Sequence, residues 1–337
     1  MQARSTPVVP RRASDEAGFT LIELMIAMIL GLIVIAGVTS VFLAGQQSFR
    51  TNDALAEVQD NTRVAFELMA RDIRDAGLTG CSSKGYQVNV LNDQATAWWA
   101  NWGNAVRGYD AGQTDPAVTV GTGLAQRFAG TSSLQLLGAA DQGYTIAAPG
   151  ETTAYSFTLN ETSPNLASGD IVILCDPGQV AFFQIGAYNA GTRTFTYSAA
   201  GTPGNDSVIL DATIPGAGPP QPFPANSQLS LYTAADWYIG NNDSGGTSLY
   251  RLSLQNTGGA VAPAAQEMVR NVSAMTITYL QRGNAGFLTA AAVTDWSQVT
   301  AVRVALTMTS TFTRATTGPA PTALSRQYAF TTSLRNR

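Results

Sequence analysis

Histidine is missing from all 337 residues. That removes the side chain most used for general acid-base work near neutral pH and the commonest nitrogen ligand of metals. Schemes built on Ser-His-Asp, Cys-His or His-metal sets are therefore excluded. Lysine is nearly as scarce: of the 19 basic residues only Lys84 is a lysine. An amine nucleophile would rest on that one side chain, in the polar turn Ser82-Ser83-Lys84-Gly85. Charged residues make up 12% of the chain, where an ordinary soluble domain carries about 25%. The net charge of -4 argues against a broad basic surface, and no nucleic-acid partner is expected. Cysteine occurs twice, at Cys81 and Cys175, 94 positions apart (175 minus 81). The pair has no metal-motif spacing; in an oxidising compartment one disulfide is the economical reading, with two separate buried thiols as the alternative.

What is present begins with an uncharged run of 21 residues, 24–44. As a helix it is about 31 Å long at roughly 1.5 Å per residue, which matches a hydrocarbon core of about 30 Å. A cleaved secretory signal would be cut after such a run at small residues, but here the distinctive small residue, Gly18, precedes it. Glu23 stands at the start of the run, where burial of an acid at membrane depth costs about 2.5 to 3.5 kcal/mol. Such a carboxylate calls for a functional reason.

Past Ala44 the pattern becomes amphipathic. Leu55, Val58, Thr62, Ala65, Phe66, Met69, Ile73 and Ala76 recur every three or four residues, the mark of one apolar helical face. Asp53, Glu57, Asp60, Arg63, Glu67, Arg71 and Arg74 share the opposite face, with Glu67 set four residues before Arg71 to form an ion pair. No proline lies between Phe19 and Gly77, and Gly77 with Gly80 supplies a stop. The spacing predicts one helix from Phe19 to about Ala76. Gly31 and Gly37 either loosen this helix locally in an assembly or let neighbouring helices pack closely.

After Gly80 the chain turns to Gly, Thr, Ser and Ala with short alternating runs, the signature of a β-rich head. Runs at 155–159, 170–174, 180–185, 193–197, 228–232 and 249–254 read as strands, and 170–198 as a three-stranded antiparallel meander. Val302, Val304, Leu306 and Met308 share one face of a strand that is predicted to pair with Tyr328 to Leu334 across a loop at Pro319 and Pro321. The prolines of 212–226 demand an exposed loop and a possible lobe boundary.

Gly18-Phe19-Thr20-Leu21-Ile22-Glu23-Leu24 resembles the class III signal of type IV pilins and type II secretion pseudopilins. The stretch Asn61 to Gly77 with Gly80-Cys81 looks like the PilW type of minor pilin, as do Trp237-Tyr238-Ile239-Gly240, Ser248-Leu249-Tyr250-Arg251, Val269-Arg270-Asn271-Val272 and Leu334-Arg335-Asn336-Arg337. The resemblance implies an α+β, type IV pilin-like fold: a long helix, transmembrane in its first half, packed on a large antiparallel head. It implies cleavage between Gly18 and Phe19, N-methylation of Phe19, and a Glu23 carboxylate that neutralises a neighbouring subunit's amine. Its parts would be a leader at 1–18, a helix at 19–77 (24–44 transmembrane, 45–77 amphipathic), and a periplasmic or surface head at 78–337. Leader residues Arg4, Arg11 and Arg12 against Asp15 and Glu16 give +1 (3 minus 2), a weak cytoplasmic-side signal.

The implied function is a minor pilin that promotes pilus initiation at or near the tip, residing in the inner membrane before assembly and on the cell surface after it. Its implied partners are other minor pilins, the major pilin, the prepilin peptidase and the pilus assembly platform. The alternatives are a J-type pseudopilin of type II secretion and a pilus-borne adhesin. Trp98, Trp99 and Trp102 are candidates either for partner contact or for the core. Asn241 to Gly246 lacks the spaced acids of a calcium loop and reads as a turn. No catalytic residue, metal or cofactor is expected.

Overall fold

A computed structural model describes residues 18–81, 86–147, 155–210, 222–316 and 322–335. The leader residues Arg4, Arg11, Arg12, Asp15 and Glu16, the turn at Lys84, the prolines at 215–220, the Pro319/Pro321 loop and Asn336-Arg337 lie outside these. The chain divides between Asp53 and Ala54 into two units.

Helix α1 runs from Leu21 to Asp75, 55 residues. In the first unit, 21–53, none of its residues is buried. In the second unit its buried positions are Ala54, Val58, Thr62, Ala65, Met69 and Ile73, the stripe that the three-and-four spacing dictates. On the opposite face Arg63 meets Glu67 at 2.8 Å, so Glu67 pairs with the arginine four residues before it. Gly77 ends the helix at φ 79°, and its N–H donates to the Leu137 carbonyl at 2.8 Å.

Strands follow in chain order: β1 (Tyr86–Asn89), β2 (Val106–Tyr109), β3 (Ser133–Thr145), β4 (Ser156–Thr158), β5 (Ile171–Cys175), β6 (Gln179–Gln184) and β7 (Tyr188–Asn189). Then come β8 (Thr194–Thr196), β9 (Gln228–Asn241), β10 (Thr247–Thr257), β11 (Ala260–Arg270), β12 (Val272–Gln281), β13 (Val299–Thr309) and β14 (Ser325–Ser333). The spine of the largest sheet is β9. Along one side it pairs with β3; along the other it pairs first with β5 and then with β10. β6 and β1 extend the sheet past β5, and β11 extends it past β10. β12-β13-β14 and β4-β8-β7 form two further sheets.

The meander expected over 170–198 is corrected. β5 and β6 pair antiparallel as the turn Asp176-Pro177-Gly178 requires, but β8 leaves that sheet and pairs with β4 and β7. The reason lies in β5 and β6 themselves, whose residues are all buried. A strand apolar on both faces needs cover on both sides, and Phe157, Phe195 and Tyr197 supply it against Val172, Leu174 and Phe183. The C-terminal pairing is as the alternation predicts: β13 pairs β14 with Val304 opposite Phe330.

The main core lies where the helical stripe meets two sheets. Met69 and Ile73 pack with Leu134, Leu136, Trp237 and Leu249 of the large sheet and with Val302, Val304 and Leu306 of β13. Each such side chain, fully buried, contributes about 1.5 to 3 kcal/mol.

Candidate assembly site

The amino-terminal motif is organised by Thr20. Its Oγ1 accepts the Glu23 N–H at 3.3 Å, and its carbonyl accepts the Leu24 N–H at 3.1 Å. Thr20-Leu21-Ile22-Glu23 therefore has capping-box spacing, with an acid in the first turn where the helix end is electropositive. Phe19, 85% exposed, stands just outside the helix. From Leu24 to Leu43 the large apolar side chains are all at least half exposed. Water does not support such a surface, so it requires hydrocarbon or apolar protein around it. The segment fits membrane anchoring. A Cβ added at Gly31 or Gly37 would meet nothing within 4 Å, so no contact among the described residues requires a glycine there.

In the second unit, acidic side chains of the helix are gripped by the head. Asp72 accepts from Trp237 Nε1 at 2.8 Å and from Arg251 Nε at 2.7 Å. Trp237 and Arg251 face each other across β9 and β10, which presents both donors together. Glu57 accepts the Thr311 N–H at 3.1 Å, the Thr311 hydroxyl, and Asn271 Nδ2 at 3.5 Å. Arg335 lies 3.9 Å from Asp75. Acidic side chains of the helix thus carry the fastening points of the head: Glu57, from the charged face that the spacing gives, and Asp72 and Asp75 beside it. The cross-strand placement of Trp237 and Arg251 was the available signal.

At the helix end Cys81 and Cys175 form a disulfide, with Cα atoms 5.9 Å apart. The adjoining contact needs a glycine: a Cβ on Gly138 would stand 2.5 Å from the Asp75 carbonyl oxygen, and Ala76 bridges to Gly138 as in a sheet. Helix end and β3 therefore touch backbone to backbone.

The tryptophan cluster divides. Trp99 and Trp102 are each 7% exposed; Trp102 packs on Phe182 at 4.5 Å, and Tyr232 donates its hydroxyl to the Trp99 carbonyl. Burial removes these two from the surface, which corrects their candidacy for partner contact. Trp98 is half-buried, against Tyr238, Tyr250 and Leu252. Residues 242–246 form the β9–β10 turn, where Asn242 Oδ1 accepts the N–H groups of Ser244 and Gly246 at 3.1 and 2.9 Å. The Asp243 carboxylate meets Arg270 at 2.8 Å. Among the described residues no cluster of three or more acidic or thiol side chains is arranged for a metal.

One feature of the head had no sequence signal. Arg127 is fully buried, donating Nη2 to the Asp110 carbonyl at 3.0 Å, Nη1 to Gln113 at 3.2 Å and Nε to Thr131 at 3.1 Å. Nearby Asp115 accepts from Gln135 at 2.6 Å and from Ser133. Asp236 is also fully buried, and neither of its oxygens meets a hydrogen-bond partner of good geometry. Burial, reinforced by the neighbouring Asp115 charge, pushes its carboxyl well above the ordinary carboxylate range, against the opposing pull of Arg127.

Comparison with known families matches residues 236–336 to the family described as Type IV Pilus-assembly protein W. Residues 13–39 match the Prokaryotic N-terminal methylation motif. No curated protein matches the chain. The first match contains Trp237, Arg251, Asn271, Thr311 and Arg335, the head residues that grip the helix; the second contains Gly18, Phe19 and Glu23. A region similar to PilW thus lies at the carboxyl-terminal end of a long-helix α+β fold whose amino-terminal end carries the methylation motif, and together they support a PilW-type, type IV minor pilin.

Proposed function

We propose that the protein is inserted in the inner membrane with its head in the periplasm, is cut between Gly18 and Phe19 and N-methylated on Phe19, and then joins other minor pilins to start a type IV pilus at its tip. In this reading the processed chain begins at Phe19, the helix occupies membrane and then filament, and residues 78–337 are the presented head. The prepilin peptidase, the major pilin and the assembly platform are its further partners. The observation that carries the reading is that Glu23 is the sole charged residue between Leu21 and Phe49. An acid so placed is costly in hydrocarbon unless a cation meets it, and the amine of a neighbouring processed chain supplies one in a single register. Subunits thereby align before the apolar helices pack. No catalytic step is assigned to the chain.

Amino-terminal sequencing of the mature protein should return methylated Phe19; an intact leader would overturn the processing step. Glu23→Ala should leave cleavage unchanged while lowering recovery in sheared filaments. Equal recovery would remove charge pairing from the account. Deletion should abolish surface pili; loss of protein secretion with pili intact would instead indicate a J-type pseudopilin.

A further inference from the structure

The disulfide at the end of the helix joins two sulfurs in unlike surroundings. Cys81 is exposed, whereas Cys175 is 1% exposed and packs in the core with Ile173, Val180 and Phe182. The residues just before Cys81 cover the buried sulfur. A Cβ on Gly80 would stand 3.7 Å from Cys175 Sγ, and the Thr79 carbonyl oxygen lies 3.2 Å from the same atom. Among the described residues, recesses of about 480 and 280 Å³ adjoin the bond, the larger lined by Pro177 and Pro224, the smaller by Leu78 and Gly143. Cys81 lines both, and Cys175 only the larger.

A disulfide exchanges when a thiolate attacks one of its sulfurs, and access helps to decide which sulfur is attacked. Here the solvent side belongs to Cys81, so Cys175 is the sulfur that leaves. The leaving-group effect runs the other way, because a thiolate forming among apolar side chains is the poorer leaving group. That effect slows attack at Cys81; shielding removes the route to Cys175. Once released, Cys175 has an acceptor for its S–H in place, the Thr79 carbonyl, and Cys81 has Gln228 Oε1 at 3.8 Å. The Gly77–Leu137 hydrogen bond and the Ala76–Gly138 bridge hold the helix end to β3 without the sulfurs. The two thiols therefore stay near each other, and the bond can re-form.

We propose that Cys81–Cys175 is a thiol-exchange site of the folded head, with Cys81 the sulfur that an external thiol engages and Cys175 the resolving thiol. In reduction the thiolate bonds to Cys81 Sγ while the electron pair of the broken S–S bond goes to Cys175, which takes a proton. A second thiolate then attacks the external sulfur of this mixed disulfide and releases Cys81, which is protonated in turn. Two external thiols become one disulfide, and the protein disulfide becomes two thiols. Run backward, with an external disulfide as oxidant, the same steps install the bond.

The test uses oxidised full-length protein in detergent micelles without denaturant, with reduced glutathione as the thiol. After an acid quench the protein is unfolded, free thiols are alkylated and the peptides are weighed. Glutathione should lie on Cys81 with the alkyl group on Cys175, in at least about tenfold excess over the reverse arrangement, while tryptophan emission stays native. A smaller excess or the reverse order overturns the assignment of the two sulfurs. Adducts that form only once urea unfolds the head, or that appear together with loss of native emission, overturn exchange in the folded state. Reduced protein moved into oxidised glutathione should regain the bond; protein that instead keeps glutathione on Cys81 overturns the resolving role of Cys175.

Discussion

The same helix obeys two different rules along its length. From Leu21 to Asp53 it buries nothing, and as far as Ala44 it is apolar on nearly every side; from Ala54 to Asp75 it buries a single stripe and exposes charge. Among the described residues, hydrophobicity in the first stretch has no partner, which fits membrane anchoring. In the second stretch it is consumed by the fold. Deletions of similar chemistry should therefore have opposite consequences in the two stretches.

The largest expected effect is at the disulfide. Cys81→Ser with Cys175→Ser should lower the stability of the head by about 4 kcal/mol in the chain-entropy account of a loop near 100 residues, read from urea denaturation followed by tryptophan fluorescence. An unchanged midpoint would show that the backbone contact at Gly138 suffices to hold the helix end. Next comes Met69→Ala, which should cost about 2 to 5 kcal/mol, whereas Ile33→Ala should leave the same transition in place. Equal shifts would erase the contrast between the two stretches.

Smallest is the pH effect at Asp236. Its carboxyl titrates higher in the folded protein than in the unfolded chain, so the folded state holds an extra proton between the two values. Stability from this group is present below the unfolded value, near 4, and is lost as pH rises toward the folded one. Asp236→Asn should flatten that decline in thermal melts taken from pH 5 upward. A variant with the native slope would place the pH dependence elsewhere.

Much of this was legible because it depends on short-range pattern. The helical stripe, the apolar run and the β13–β14 pairing follow from spacing and composition, while the disulfide was one of two open readings of the cysteine pair. The departure of β8 from the meander did not, since nothing local tells a strand which neighbour its sheet needs covered. The polar cluster of Arg127, Asp115 and Asp236 was equally hidden: its members are scattered along the chain and meet only through β3 and β9. At the assembly site Gly18, Phe19 and Glu23 were legible as a motif, while the grips on Glu57, Asp72 and Asp75 were not, since their partners come from distant strands. Trp99 and Trp102 show the converse, a conspicuous cluster turned inward.

The fastening points also decide how the subunit bears load. Glu57 and Asp75 lie 18 residue steps apart (75 minus 57), about 27 Å along the helix, with Asp72 between them. Tension applied along the helix strains these contacts side by side, in shear, instead of peeling them one after another, and the disulfide forms a covalent stop beyond the last of them. A helix pulled from its amino-terminal end would thus resist slipping until several bonds fail together. Reducing the disulfide should lower the force at which the head gives way in single-molecule pulling; an unchanged force would assign the whole resistance to the noncovalent grips.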